Sequence, residues 1–82
     1  MAKVHFYKLE LNTMKEIKEF VEIATMLDAE LTLTDNNGYK VSAKSLMGAI
    51  YALEWNELYL MSETDVYDSF ENFITSSSIK DI

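Results

Sequence analysis

Hydrophobic positions along the chain fall into short runs whose spacing switches between two and three-to-four residues, with turn or capping residues between them. Residues 3–9 alternate with period two, placing Val4, Phe6 and Lys8 on one face and His5, Tyr7 and Leu9 on the other, as in a strand. The spacing then lengthens: Met14, Ile17, Phe20, Val21, Ala24 and Leu27 recur at three- and four-residue intervals, one stripe of an amphipathic helix. Thr13 followed by Glu16 matches a capping box, in which each side chain satisfies a free backbone N–H at the other; Asn12 is a competing N-cap. The polar face of this helix carries Lys15, Lys18, Glu19 and Glu22, two lysine–glutamate pairs at i,i+4 worth a few tenths of a kcal/mol each.

Further on, Glu30 to Thr34 alternates as a second strand, residues 35–38 form a turn, and Tyr39 to Ser42 returns as a third strand. Ser45 or Ser42 caps a short helix from Leu46 to about Leu53. Glu57 to Met61 makes a fourth strand. Thr64-Asp65 is expected to cap a last helix with Val66, Phe70, Phe73 and Ile74 inward, and residues 76–82 are expected to be a frayed tail. The order β-α-β-β-α-β-α predicts an α+β fold: an antiparallel sheet with the helices on one face, built as one domain over 1–82.

Composition narrows the chemistry. The 82 residues are 49% hydrophobic and 12% aromatic, enough for one core and too apolar for a disordered chain. With no cysteine, disulfides and thiolate chemistry are excluded, and a single histidine, His5, removes any two-histidine metal site. His5 reads as a solvent-side strand residue, and no metal or cofactor is expected. No apolar run is long enough for a membrane span and no signal-peptide pattern opens the chain, so the expected location is cytoplasmic. The formal net charge is −7 and every basic residue is a lysine, which argues against a nucleic-acid partner.

Two segments are more telling than the element order. Asp28-Ala29-Glu30-Leu31 follows the first helix, and Ala43-Lys44-Ser45-Leu46-Met47-Gly48 follows the hairpin. Together they resemble the HPr family, the small phosphocarriers of the sugar phosphotransferase system. Sequences of that family run Asp-Ala-acid-aliphatic, then a strand and a turn ending in Asn-Gly, then Lys-Ser-(Ile/Leu)-Met-Gly. Asn37-Gly38 sits in the matching turn with an extra residue, and the resemblance covers roughly residues 3–75. It implies an open-faced sandwich: four antiparallel strands in the order 1-4-2-3 with three helices on one face.

The family's phosphoacceptor motif, Gly-(Ile/Leu)-His-Ala-Arg-Pro, aligns with residues 11–16, so that Thr13 takes the place of the histidine, Lys15 of the arginine and Glu16 of the proline. That departure removes the chemistry. Imidazole, with a pKa of about 6.5, serves as both nucleophile and leaving group in phosphoryl transfer. A threonine phosphate is an ordinary ester whose alkoxide leaves poorly. Thr13 and Lys15 therefore mark a degenerate phosphoacceptor position, and no catalytic residue is expected.

The same resemblance makes Ser45 a candidate regulatory phosphorylation site, because the matching serine is one in the family's Gram-positive members. It also makes Met14, Leu46, Met47 and Ile50 a candidate partner-docking patch. Residues 46–53 are apolar nearly all round, and one short helix against a sheet cannot bury every side. These readings combine into a non-catalytic, HPr-like protein-binding or regulatory module. Its expected partner is a protein, a transcriptional regulator or a component of the phosphotransferase system. A phosphocarrier with an unexpected acceptor, or a small homo-oligomeric domain unrelated to sugar transport, are the alternatives.

Overall fold

A computed structural model describes residues 3–35 and 37–81. Asn36, in the predicted turn, and Ile82, in the predicted tail, lie outside the described residues. The elements are β1 (Lys3–Leu9), α1 (Met14–Met26), β2 (Leu31–Thr34), β3 (Lys40–Ser42), α2 (Leu46–Ala52), β4 (Tyr59–Ser62), α3 (Tyr67–Phe70) and β5 (Ile74–Asp81). A single 3-10 turn, Glu71–Phe73, links α3 to β5. The five strands form one antiparallel sheet in the order β3-β2-β4-β1-β5.

Register explains why the helices gather on one side. Tyr7 pairs with Leu60, Leu60 with Leu33, and Leu33 with Val41, so one apolar row crosses four strands. Tyr7, Leu60 and Leu33 are buried, and α1 lays Ile17, Phe20, Val21 and Ala24 into the same core. Full burial of side chains this size is worth about 1.5–3 kcal/mol each. The α1 stripe predicted from spacing is thus its buried face, except that Met14, at its first position, lies exposed and Leu27, the C-cap, is half-buried. Thr13 is the N-cap and makes the capping box with Glu16. At the other end, Lys44 Nζ donates to the Leu27 carbonyl at 2.7 Å, placing a cation on the free carbonyls of the α1 C-terminus.

The C-terminal third departs from the sequence expectation in three ways. The last helix is one turn, Tyr67–Phe70, with no side-chain cap bond; Asp65 instead accepts from the Tyr67 N–H through Oδ1, and Thr64 takes part in no cap. Phe70, and Phe73 in the following 3-10 turn, still point inward, meeting Phe20 at ring-centroid distances of 4.9 and 5.9 Å. Ile74 opens a strand, and residues 76–81 are no frayed tail: they pair with β1 from Lys8↔Ser76 to Lys3↔Asp81. The sheet therefore has five strands, with the predicted order 1-4-2-3 for the first four and β5 added outside β1. Residues 75–81 are all exposed, so no hydrophobic alternation marks the strand; main-chain pairing along a neighbour that is already extended forms it.

His5 is also placed differently from expectation. It is half-buried on the helix-bearing face, its ring stacked on Tyr7 at 6.0 Å between centroids. Tyr7 ties β1 to the segment before α3: its hydroxyl donates to Asp65 Oδ1 at 2.9 Å and accepts from the Val66 N–H at 3.0 Å. Burial foremost, then the Asp65 carboxylate, pushes the Tyr7 hydroxyl up to about 12. Asp65 is held below the usual carboxylate range by the Tyr67 N–H first and the Tyr7 hydroxyl second.

Two outcomes follow. Truncation after Ile74 should lower stability by more than about 2 kcal/mol in chemical denaturation, since several ladder bonds at about 0.5–1.5 kcal/mol each are lost; a frayed tail would cost nothing measurable. Tyr7→Phe should cost about 1–3 kcal/mol by leaving Asp65 and the Val66 N–H without this partner. Because the folded-state value is raised, Tyr7 contributes stability that is full below pH about 10 and lost as pH rises towards about 12. The stability difference between wild type and Tyr7→Phe should shrink across that window.

Candidate docking surface

Each feature of the expected site can be followed to its place. At the start of α1, Thr13 Oγ1 accepts from the Glu16 N–H at 3.1 Å, and Glu16 Oε1 accepts from the N–H groups of Asn12 (2.9 Å) and Thr13 (3.1 Å). The Thr13 hydroxyl also lies 3.3 Å from Glu16 Oε1 and donates to it. A carboxylate thus already stands at this helix end, and it opposes a phosphate there by like charge. Lys15 is exposed beside it.

Ser45 is the N-cap of α2, its Oγ accepting from the Gly48 N–H at 3.1 Å, and the residue is exposed. Ser42, the competing cap, accepts from the Lys44 N–H instead. The structure does not bring Ser45 to Thr13. Lys44 reaches the C-terminal end of α1, and a 13-residue helix is about 20 Å long, far more than a lysine side chain spans.

On α2 the usual distribution of large and small residues is reversed. Ala49 and Ala52 are 0% exposed and face the core, while Met47 is 82% exposed and Leu46, Ile50 and Tyr51 are also exposed. Gly48 explains how close the helix sits: an added Cβ would stand 3.2 Å from the Val41 Cβ on β3. With only small side chains beneath it, α2 lies tight against its support and its bulky residues have nowhere to go but outward. Met14, exposed at the start of α1, completes the set of four expected apolar positions, all of which reach solvent.

An aromatic group that the sequence reading did not single out borders them. Tyr51 meets Trp55 edge-on at 6.2 Å, and Trp55 stacks on Tyr39 of the hairpin at 6.3 Å. Met47, Tyr51 and Trp55 recur at four-residue intervals, which was the available signal; the contribution of Tyr39 is long-range and was not. Tyrosine and tryptophan anchors of this kind are what binding hot spots are enriched in. Among the described residues no three His, Asp or Glu side chains gather as a metal site, and no helix is long and apolar enough to cross a membrane. No family model, curated protein or solved structure matches the chain.

The reversed helix has a direct signature in stability. Met47→Ser should stay within about 0.5 kcal/mol of wild type, as surface changes do. Ala49→Leu, a far milder change in polarity, should cost about 1–3 kcal/mol by overpacking. Thermal or denaturant melts of the two variants check the contrast.

Proposed function

We propose that this chain is a non-catalytic, HPr-like protein-binding or regulatory module that docks a protein partner through α2 and the start of α1. The observation that carries this reading is the reversal on α2, where alanines occupy the core and Leu46, Met47, Ile50 and Tyr51 occupy the surface. Exposing large apolar side chains while burying small ones forgoes stability that the opposite arrangement would supply, so a contact elsewhere accounts for it. The order 1-4-2-3 of the first four strands agrees with what the HPr resemblance implies, and so does the place of Ser45 at the head of α2.

The engagement of Thr13 in a capping box supports a carrier function lost rather than relocated. Ser45 is the candidate control point. A phosphate on its exposed hydroxyl would add about −1.5 to −2 charge at the head of the helix that carries Met47, within reach of anything bound there. Lys44, its neighbour in sequence, spends its ammonium on the Leu27 carbonyl, so that charge would be met by the helix end and by the partner.

Incubation with phosphoenolpyruvate and the general phosphotransfer enzyme should leave the protein unlabelled, and Thr13→His alone should restore little, because Lys15 and Glu16 still stand in place of arginine and proline. Efficient relay by that single variant would overturn the reading. Serine kinase and ATP should label Ser45 if they label any residue, in an acid-stable form located by mass spectrometry. For docking, Met47→Ser and Tyr51→Ser should each weaken a purified phosphotransferase-system or regulator partner by more than about 1 kcal/mol. A mass that rises with concentration and falls in these variants would replace the hetero-partner by a second copy.

A further inference from the structure

The sheet face turned away from the helices carries a second, chemically different surface. One row across it reads Ser76, Lys8, Tyr59, Thr34, Lys40, and the next reads Ser78, Phe6, Met61, Thr32, Ser42. Lys80 reaches over this face, its Nζ 4.6 Å from the centroid of the Phe6 ring. Three of the seven lysines thus line one groove of about 630 Å³, floored by Phe6, Tyr59 and Met61. Asp35 is the single carboxylate in its lining, and Asp35 Oδ1 is already taken by the N–H groups of Asn37 and Tyr39. In a chain with fourteen acidic residues, that concentration of positive charge is local to this face.

We propose that this groove binds a small anion bearing a flat ring, of the nucleoside monophosphate class. Its volume lies in the range of small-molecule sites, about 300–1,000 Å³. Lys8 and Lys80, on the adjacent strands β1 and β5, supply point-charge donors for a phosphate dianion, and Tyr59 and Met61 supply the platform for the ring beside the Phe6 face that Lys80 covers. The ends of the groove set the size of the ligand. Glu30 and Glu63 stand beyond Met61 on one side, and Glu57, whose Oε2 accepts from the Tyr59 hydroxyl at 2.7 Å, stands beside Asp35 on the other. A longer polyanion would have to run off the lysines onto carboxylates, whereas a single phosphate with its ring stays among them.

The test is titration of the isotope-labelled protein with adenosine monophosphate, read by backbone amide shifts. Saturable shifts are expected at Phe6, Lys8, Tyr59 and Ser78, with adenosine or inorganic phosphate alone binding at least about tenfold more weakly. The Lys8→Gln/Lys80→Gln double variant should lose affinity by at least about tenfold with its melting curve unchanged, and the corresponding double arginine variant should keep it. Absence of saturation, shifts centred elsewhere, or equal affinity in the glutamine variant would overturn the assignment. Tighter binding of an octathymidylate than of the monophosphate would overturn it too, in favour of a polymer ligand.

Discussion

Tyr7, Leu60 and Leu33 stand side by side on three neighbouring strands, and α1 rests on that row through Ile17 and Phe20. The rest of the structure depends on this contact. It fixes which face of the sheet is covered, and because side chains alternate along each strand, it also fixes the residues left on the other face. Phe20 then receives Phe70 and Phe73, which holds the one-turn α3 and directs the chain back along β1. The Tyr7 hydroxyl secures the same region from the sheet side through Asp65 and the Val66 N–H.

Two surfaces follow from that arrangement, and they differ in kind. The helix side ends in an apolar and aromatic patch on α2 because small residues beneath it leave the large ones outside. Rigid aromatic anchors with methionine beside them suit a protein surface that can vary in detail. The open sheet face instead gathers lysines over a short aromatic floor, hemmed by carboxylates. One surface suits shape and apolar area; the other suits a compact charge. They lie on opposite faces of the sheet, so occupation of one leaves the other free.

The start of α1 is closed by its own side chains. A helix N-terminus with free N–H groups is suited to an anion. Here Thr13 and Glu16 satisfy two of those donors, the N–H groups of Thr13 and Glu16, and the glutamate brings a negative charge of its own. The glutamate that helps define the helix start also opposes a phosphate there by like charge.

The elements governed by neighbours in sequence were legible from the residues alone. The capping box at Thr13, most of the α1 stripe, a serine cap on α2 (Ser45 rather than Ser42) and the strand expected at 30–34 and formed over 31–34 rest on contacts within four residues or on a simple period. The apolar excess of α2 was legible too, but not its direction, since periodicity counts residues without saying which side a sheet will cover. β5 was hidden for the opposite reason: a serine-rich edge strand has no buried face to impose a pattern, and only pairing with β1, about seventy positions earlier, makes it a strand. The groove of Lys8, Lys40 and Lys80 could not be read at all from a chain of net charge −7. Charge along a sequence sums over every face, and only the strand register decides which charges meet.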